Sequence, residues 1–198
     1  MHRRILICLG VFFCCHSMFA QKKSYLDSLR EFQQQYVDSH EVVKKYDKQY
    51  LNFFPIDSSY RVLCNFTPAR NTKWFSMKTS GTATQVYRKY GLLTFKIHDT
   101  LLQLNVYQSQ SLMTSDDYAD YLFIPFTDIT TGKESYTGGR YVDYKMGDIR
   151  NNKLLLDFNK AYNPYCAYTT GYNCPIPPAE NDLQISIKAG EKAYAKKH

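Results

Sequence analysis

The sequence predicts a mainly β fold, an antiparallel sandwich or open barrel carrying a helical N-terminal arm. Three observations predict it. Apolar residues alternate with period two from residue 60 onward, a three-to-four-residue period is confined to residues 24–50, and turn residues separate the alternating runs. The 198 residues are 44% hydrophobic and 16% aromatic, enough for one sizeable core and too rich in packing material for a disordered chain.

The first twenty residues, MHRRILICLGVFFCCHSMFA, set Arg3 and Arg4 before an apolar run from Ile5 to Cys15 and end on Ala20. This is the pattern of a secretory signal peptide cleaved after Ala20, with lipidation at Cys14 or Cys15 as the alternative. The run is too short for the roughly 20 residues that span a bilayer, so no transmembrane segment is expected and the chain is expected to be exported, periplasmic or secreted. Removing residues 1–20 leaves 198 minus 20, or 178 residues. It also removes two arginines and no acid, so the net charge falls from +7 to +5. The lysines gather near the ends of the chain and form no arginine-rich stripe, which argues against a nucleic-acid partner and leaves adhesion to an acidic surface open.

Residues 21–50 form the expected arm. Tyr25, Leu26, Leu29, Phe32, Tyr36, Val37, Val43, Tyr46 and Tyr50 recur at helical spacing, and Asp38 or Ser39 before Glu41 can cap a second helix, so one helix or two fit equally. Pro55 ends the pattern and pushes Phe54 towards extended geometry. Residues 51–198 form the expected β-rich domain. YRVLCNF places Tyr60, Val62, Cys64 and Phe66 on one face; WFSMKT and TQVYRKYG follow as strands. LLTFKIH and LLQLNVYQ flank a tight turn at His98, Asp99 and Thr100, the clearest hairpin in the chain. SQSLMTSDDYAD reads as a loop, and YLFIPF, YVDY, KLLLDF and LQISIK as further strands.

Of the six cysteines, Cys64, Cys166 and Cys174 remain after signal removal. Cys166 and Cys174, eight apart around Gly171, are the expected disulfide of an exported chain, with Cys64 a buried free thiol. The rival use of Cys166 and Cys174 with a histidine as metal ligands lacks a CxxC pair, and neither a metal nor another cofactor is expected. All 18 tyrosines lie beyond residue 20. Most suit sheet packing, but Tyr136, Tyr141, Tyr144, Tyr162, Tyr165, Tyr168 and Tyr172 surround the most polar stretch, as aromatic walls surround carbohydrate or other amphipathic ligands.

That stretch carries a family resemblance. FFPID, VYRKYG, LFIPFTDITTGKESYTGGRY, LLDFNKAYNPYCAY, CPIPPAEN and KAGE occur in order between residues 40 and 192. With them the chain resembles an uncharacterised bacterial family, domain of unknown function 1684, whose members are often exported, those of the Bacteroidetes in particular. The resemblance implies no activity. Polar residues standing in these motifs are Asp128, Glu134, Arg140, Asp143, Asp157, Asn159, Asn163, Glu180 and Asn181.

Arg140 can pair with Asp143 or Asp157, while Gly138 and Gly139 allow a close backbone approach or a turn. Asp157, Asn159 and Asn163 can cap local backbone donors. A Ca²⁺ site from Asp143, Asp157 and Glu180 lacks EF-hand spacing. No HExxH, GxSxG, GxGxxG or Walker A sequence is present. The leading expectation is a module that binds a polar small molecule or glycan through Glu134, Arg140, Tyr141, Asn159, Asn163 and Asn181. The alternatives are a hydrolase using Asp143, Asp157 or Glu180 as acid and base, and a purely structural domain. Convergence of Arg140, Tyr141 and Glu180 on one cleft separates the first two from the third.

Overall fold

A computed structural model describes residues 23–196. The expected signal segment, its cleavage site and its cysteines lie outside the described residues. Helix α1, Tyr25–Ser39, begins where the Ser24 side chain accepts the Asp27 amide, and it buries Leu29. No second α-helix follows among the described residues. His40 turns the chain, its Nδ1 accepting the Val43 amide at 2.9 Å, and Lys45–Tyr50 is a 3-10 turn.

The strands are β1 Arg61–Pro68, β2 Phe75–Met77, β3 Gln85–Ile97, β4 Thr100–Ser109, β5 Tyr121–Asp128, β6 Arg140–Lys145, β7 Lys153–Asp157 and β8 Asp182–Leu183. Antiparallel pairing gives the order β6-β5-β4-β3-β1-β7, with β2 added to β3 and β8 parallel to β5. The sheet is open and curled into a half-barrel. Its inner face packs Leu93, Leu104, Val106, Leu122, Ile124, Phe126, Leu154, Leu156 and Phe158 into the main core. The expected hairpin is present: His98 and Asp99, both at positive φ, join Ile97 to Thr100.

Where the sequence suggests two strands at 84–98, the structure has one, broken in register between Lys89 and Gly91. The extra residue flips the side-chain alternation, so Leu93 faces the core while Tyr87 joins Tyr107 on the outer face. Gly91 is required there, because a Cβ would lie 2.2 Å from the Phe66 ring. The outer face thereby gains its own aromatic layer, Met77, Tyr87, Tyr107, Phe123 and Tyr141.

The two terminal strands of the path meet through one side chain. Tyr144 on β6 donates its hydroxyl to the Leu155 carbonyl at 3.0 Å and accepts the Asp157 amide at 2.8 Å on β7. The strand expected from LQISIK is cut short after Leu183. Beyond it the backbone makes scattered bonds to Ile129, Ala161 and Phe54 in place of a continuous ladder, and side chains supply others: the Ile187 amide donates to Asp128, and the carbonyls of Ile187, Ala189 and Glu191 accept from Arg140.

Candidate functional site

Strand alternation decides where the predicted polar residues go. On β6, Arg140 and Val142 face inward, whereas Tyr141 and Asp143 face the outer aromatic layer. Arg140 is 1% exposed. Its Nη2 donates to Asp128 Oδ2 at 3.2 Å, and its plane lies 5.2 Å from the Phe126 ring centroid. The expected pairing with Asp143 or Asp157 is therefore corrected: Asp143 is on the opposite face, and Asp157 is held on β7 by Tyr25 and Asn159.

The remaining motif residues divide between braces and walls. Asn159 donates to the Asp57 carbonyl and accepts its amide, fixing the entry to β1. Asn181, fully buried, accepts the Asn105 amide at 2.8 Å and donates to the carbonyls of Asn105 and Pro125. Gly139, at φ +80°, passes so close to the Phe126 carbonyl that a Cβ would lie 2.7 Å from it. Glu134 pairs with Lys188 at the surface. Glu180 pairs with Lys89 at 2.7 Å and accepts from Tyr107 on the outer face; although burial opposes ionisation, these donors hold its carboxyl below the usual range. Arg140 and Glu180 thus lie on opposite faces and Arg140, Tyr141 and Glu180 do not converge, so the site expected from these three residues is not formed.

Asp143 does stand in a cleft. A cavity of about 460 Å³ is lined by Phe32 and Tyr36 of α1, Tyr121 of β5, Val142, Asp143, Tyr144 and Lys145 of β6, and Asp148, Lys160 and Tyr162. Tyr162 donates to Asp143 Oδ2, the Tyr121 hydroxyl stands beside the same carboxylate, and Oδ1 is buried with no well-formed hydrogen bond among the described residues. Burial pushes the Asp143 carboxyl up to about 6, with Tyr162 and Tyr121 pulling partly the other way. Lys160 lies 5.2 Å from the Phe32 ring centroid, and Lys145 is 3.4 Å from Asp120. Asp148 accepts the Lys145 amide at 2.8 Å.

A second cavity of about 520 Å³ shares Tyr36 and Tyr162 with the first and adds Tyr141, Asn163, Tyr165 and Tyr172. Asn163 gives its amide to Glu191 and its Nδ2 to the Lys192 carbonyl, leaving Oδ1 buried and unpartnered. Glu191, fully buried, also accepts the hydroxyls of Tyr36 and Tyr168, and burial pushes its carboxyl up to about 7. The disulfide Cys166–Cys174 borders the second cavity, and Cys64 is a buried free thiol that burial pushes up to about 12.

The sequence marks Asp143, Tyr141, Asn163 and the wall tyrosines Tyr162, Tyr165 and Tyr172, but not Glu191, Asp148, Lys160, Phe32 or Tyr36, as parts of this region. Phe32 and Tyr36, four apart on the helix, carried a usable signal, since that spacing puts both on one face. Among the described residues no group of three or more His, Cys, Asp or Glu is placed to hold a metal ion, and no helix is long and apolar enough to cross a membrane.

The family described as "Protein of unknown function (DUF1684)" matches residues 47–192. The chain belongs to the DUF1684 family. No curated protein matches this DUF1684 chain. It is similar to the solution NMR structure of an uncharacterised protein of Haloarcula marismortui, at 29% identity and TM-score 0.64, covering 83% of this chain and 92% of that one. That protein is archaeal, so the likeness reaches beyond bacteria. Helix α1, which supplies Phe32 and Tyr36 to the clefts, precedes the part matched to DUF1684.

Proposed function

We propose that the chain is an exported, Bacteroidetes-type member of its family that binds a polar small molecule or glycan in the tyrosine-walled cleft at Asp143. The observation that carries this reading is the buried, unpartnered Oδ1 of Asp143 in a cavity of about 460 Å³. A buried acceptor left unpaired costs on the order of 1–3 kcal/mol, and a ligand hydroxyl or amine recovers that cost. Export rests on the signal-like residues 1–20 and agrees with the disulfide. The test is a screen of the purified chain against immobilised neutral, acidic and amino sugars, followed by calorimetry of Asp143→Ala. The expected result is a bound sugar whose affinity falls at least about tenfold in the variant, roughly 1.4 kcal/mol. A sugar bound equally by both proteins removes Asp143 from the site.

One observation favours a second reading, a hydrolase. Asp143, with its carboxyl raised to about 6, shares the cleft with a second, exposed carboxylate, Asp148, and two carboxyl groups in one cleft are what acid and base attack on a glycosidic bond requires. Asp157 and Glu180 do not line this cleft. Release of nitrophenol from nitrophenyl glycosides by the chain, lost in both Asp143→Asn and Asp148→Asn, is the result that selects this reading over simple binding.

A further inference from the structure

We propose that the two cavities are consecutive subsites of one groove, and that the ligand is a neutral oligosaccharide of at least two units. This rests on the reading of the Asp143 cleft as a binding site and extends it to the size and chemistry of what binds.

Tyr36 and Tyr162 are walls of both cavities, their ring centroids 6.3 Å apart, so the spaces adjoin along one aromatic partition. Each cavity, at about 460 and 520 Å³, sits near the lower end of the roughly 300–1,000 Å³ typical of small-molecule sites. Each is lined by one residue with a buried oxygen that lacks a partner, Asp143 Oδ1 in the first and Asn163 Oδ1 in the second. Native proteins pair nearly all such atoms, and two orphans in adjoining cavities define two places that want a donor.

The tyrosines supply the complementary half of the argument. Tyr162 spends its hydroxyl on Asp143, Tyr36 on Glu191, Tyr141 on the Pro175 carbonyl and Tyr165 on Glu41. Their hydroxyls being committed, the walls offer ring faces. Aromatic faces together with unpaired acceptors match a ligand that presents C–H surfaces and hydroxyl donors in each repeating unit, which describes a sugar chain. An apolar ligand leaves both acceptors buried and unpaired. An anion meets the Asp143 carboxylate, and a cation meets Lys145 and Lys160 on the first cavity.

The test is calorimetry of the chain with the monomer, dimer and tetramer of three series: α-1,4-linked glucose, β-1,4-linked glucose and β-1,4-linked N-acetylglucosamine. Two subsites predict that in at least one series the dimer or tetramer binds at least tenfold more tightly than the monomer. Tyr172→Ala, at an exposed position that lines the second cavity and not the first, is expected to remove that advantage while leaving monomer affinity in place. Asp143→Ala is expected to weaken monomer and oligomer together. Equal affinity for monomer and tetramer, still dependent on Asp143, overturns the two-subsite proposal and leaves the single cleft standing. Absence of binding in all three series overturns the oligosaccharide proposal, and the single-cleft reading is then decided by the wider screen of acidic and amino sugars.

Discussion

Arg140 on β6 and Asp128 on β5 form an ion pair at 3.2 Å with both side chains almost wholly removed from water. Around it close the C-terminal carbonyls of Ile187, Ala189 and Glu191, so one guanidinium gathers the segment that follows β8 onto the open end of the core. Each partner is a buried charge that needs the other. Asp128→Asn and Arg140→Met are therefore expected to destabilise the chain by about 3–5 kcal/mol, measured by urea unfolding, because each leaves an uncompensated charge or an unfilled set of carbonyl acceptors. Arg140→Lys is expected to fall in the same range, since an ammonium cannot reach the carboxylate and the three carbonyls with a planar fork.

Tyr144 makes a second, separable prediction. Its hydroxyl substitutes for the ladder between β6 and β7, so Tyr144→Phe leaves the Leu155 carbonyl and the Asp157 amide without that partner. A loss of about 1–2 kcal/mol is expected, accompanied by faster hydrogen exchange at the Asp157 amide.

Stability is expected to depend on pH through the buried Glu191 and His40 and the half-buried Asp143. Glu191, raised to about 7, and Asp143, raised to about 6, bind protons more tightly when folded than carboxyls at their ordinary 4.5 and 3.8 do. The folded state thus holds more protons, and stability rises as pH falls from about 8 towards 6.5, by on the order of 1 kcal/mol. Below about 6.5 His40 opposes this: burial holds its imidazole down to about 4, so the unfolded chain takes up the proton first. Because the two carboxyls together gain about two protons on folding and His40 gives back about one, urea midpoints are expected to keep climbing on acidification to about pH 4.5, with Glu191→Gln flattening the climb.

Reduction of Cys166–Cys174, or the double Cys→Ser variant, releases a loop with a sequence separation of 8. The expected cost is about 2–3 kcal/mol by loop-closure entropy. Thermal unfolding with and without reductant checks it, with the double variant insensitive to reductant.

What the sequence made legible followed period and turn chemistry. The alternation of Leu102, Leu104 and Val106 and the His98–Asp99 turn read directly as the β3–β4 hairpin, and the spacing of Cys166 and Cys174 as their bridge. The shift between Lys89 and Gly91 was hidden because a single extra residue leaves no local mark, yet it carries Tyr87 to the opposite face. LQISIK alternates like a strand, but after Leu183 the ladder gives way to single bonds, with the Arg140 and Asp128 side chains taking the backbone of Ile187, a tertiary arrangement without a periodic signature. The candidate site was half legible for the same reason. Asp143, Tyr141 and Asn163 stood out by residue type, whereas grouping them with Arg140 and Glu180 ignored that neighbours on a strand point to opposite faces. Phe32, Tyr36 and Glu191 come from distant parts of the chain and meet only in the folded molecule.

The most direct test of ligand binding at Asp143 is NMR mapping of amide and tyrosine-ring signals as the sugar selected by the screen is added. Binding in the cleft predicts shifts concentrated at Tyr36, Tyr121, Asp143 and Tyr162, with the Asp143 carboxyl signal titrating near 6 in the free chain and displaced when the sugar is bound. Shifts confined to other surfaces, or an Asp143 titration untouched by saturating sugar, would contradict it.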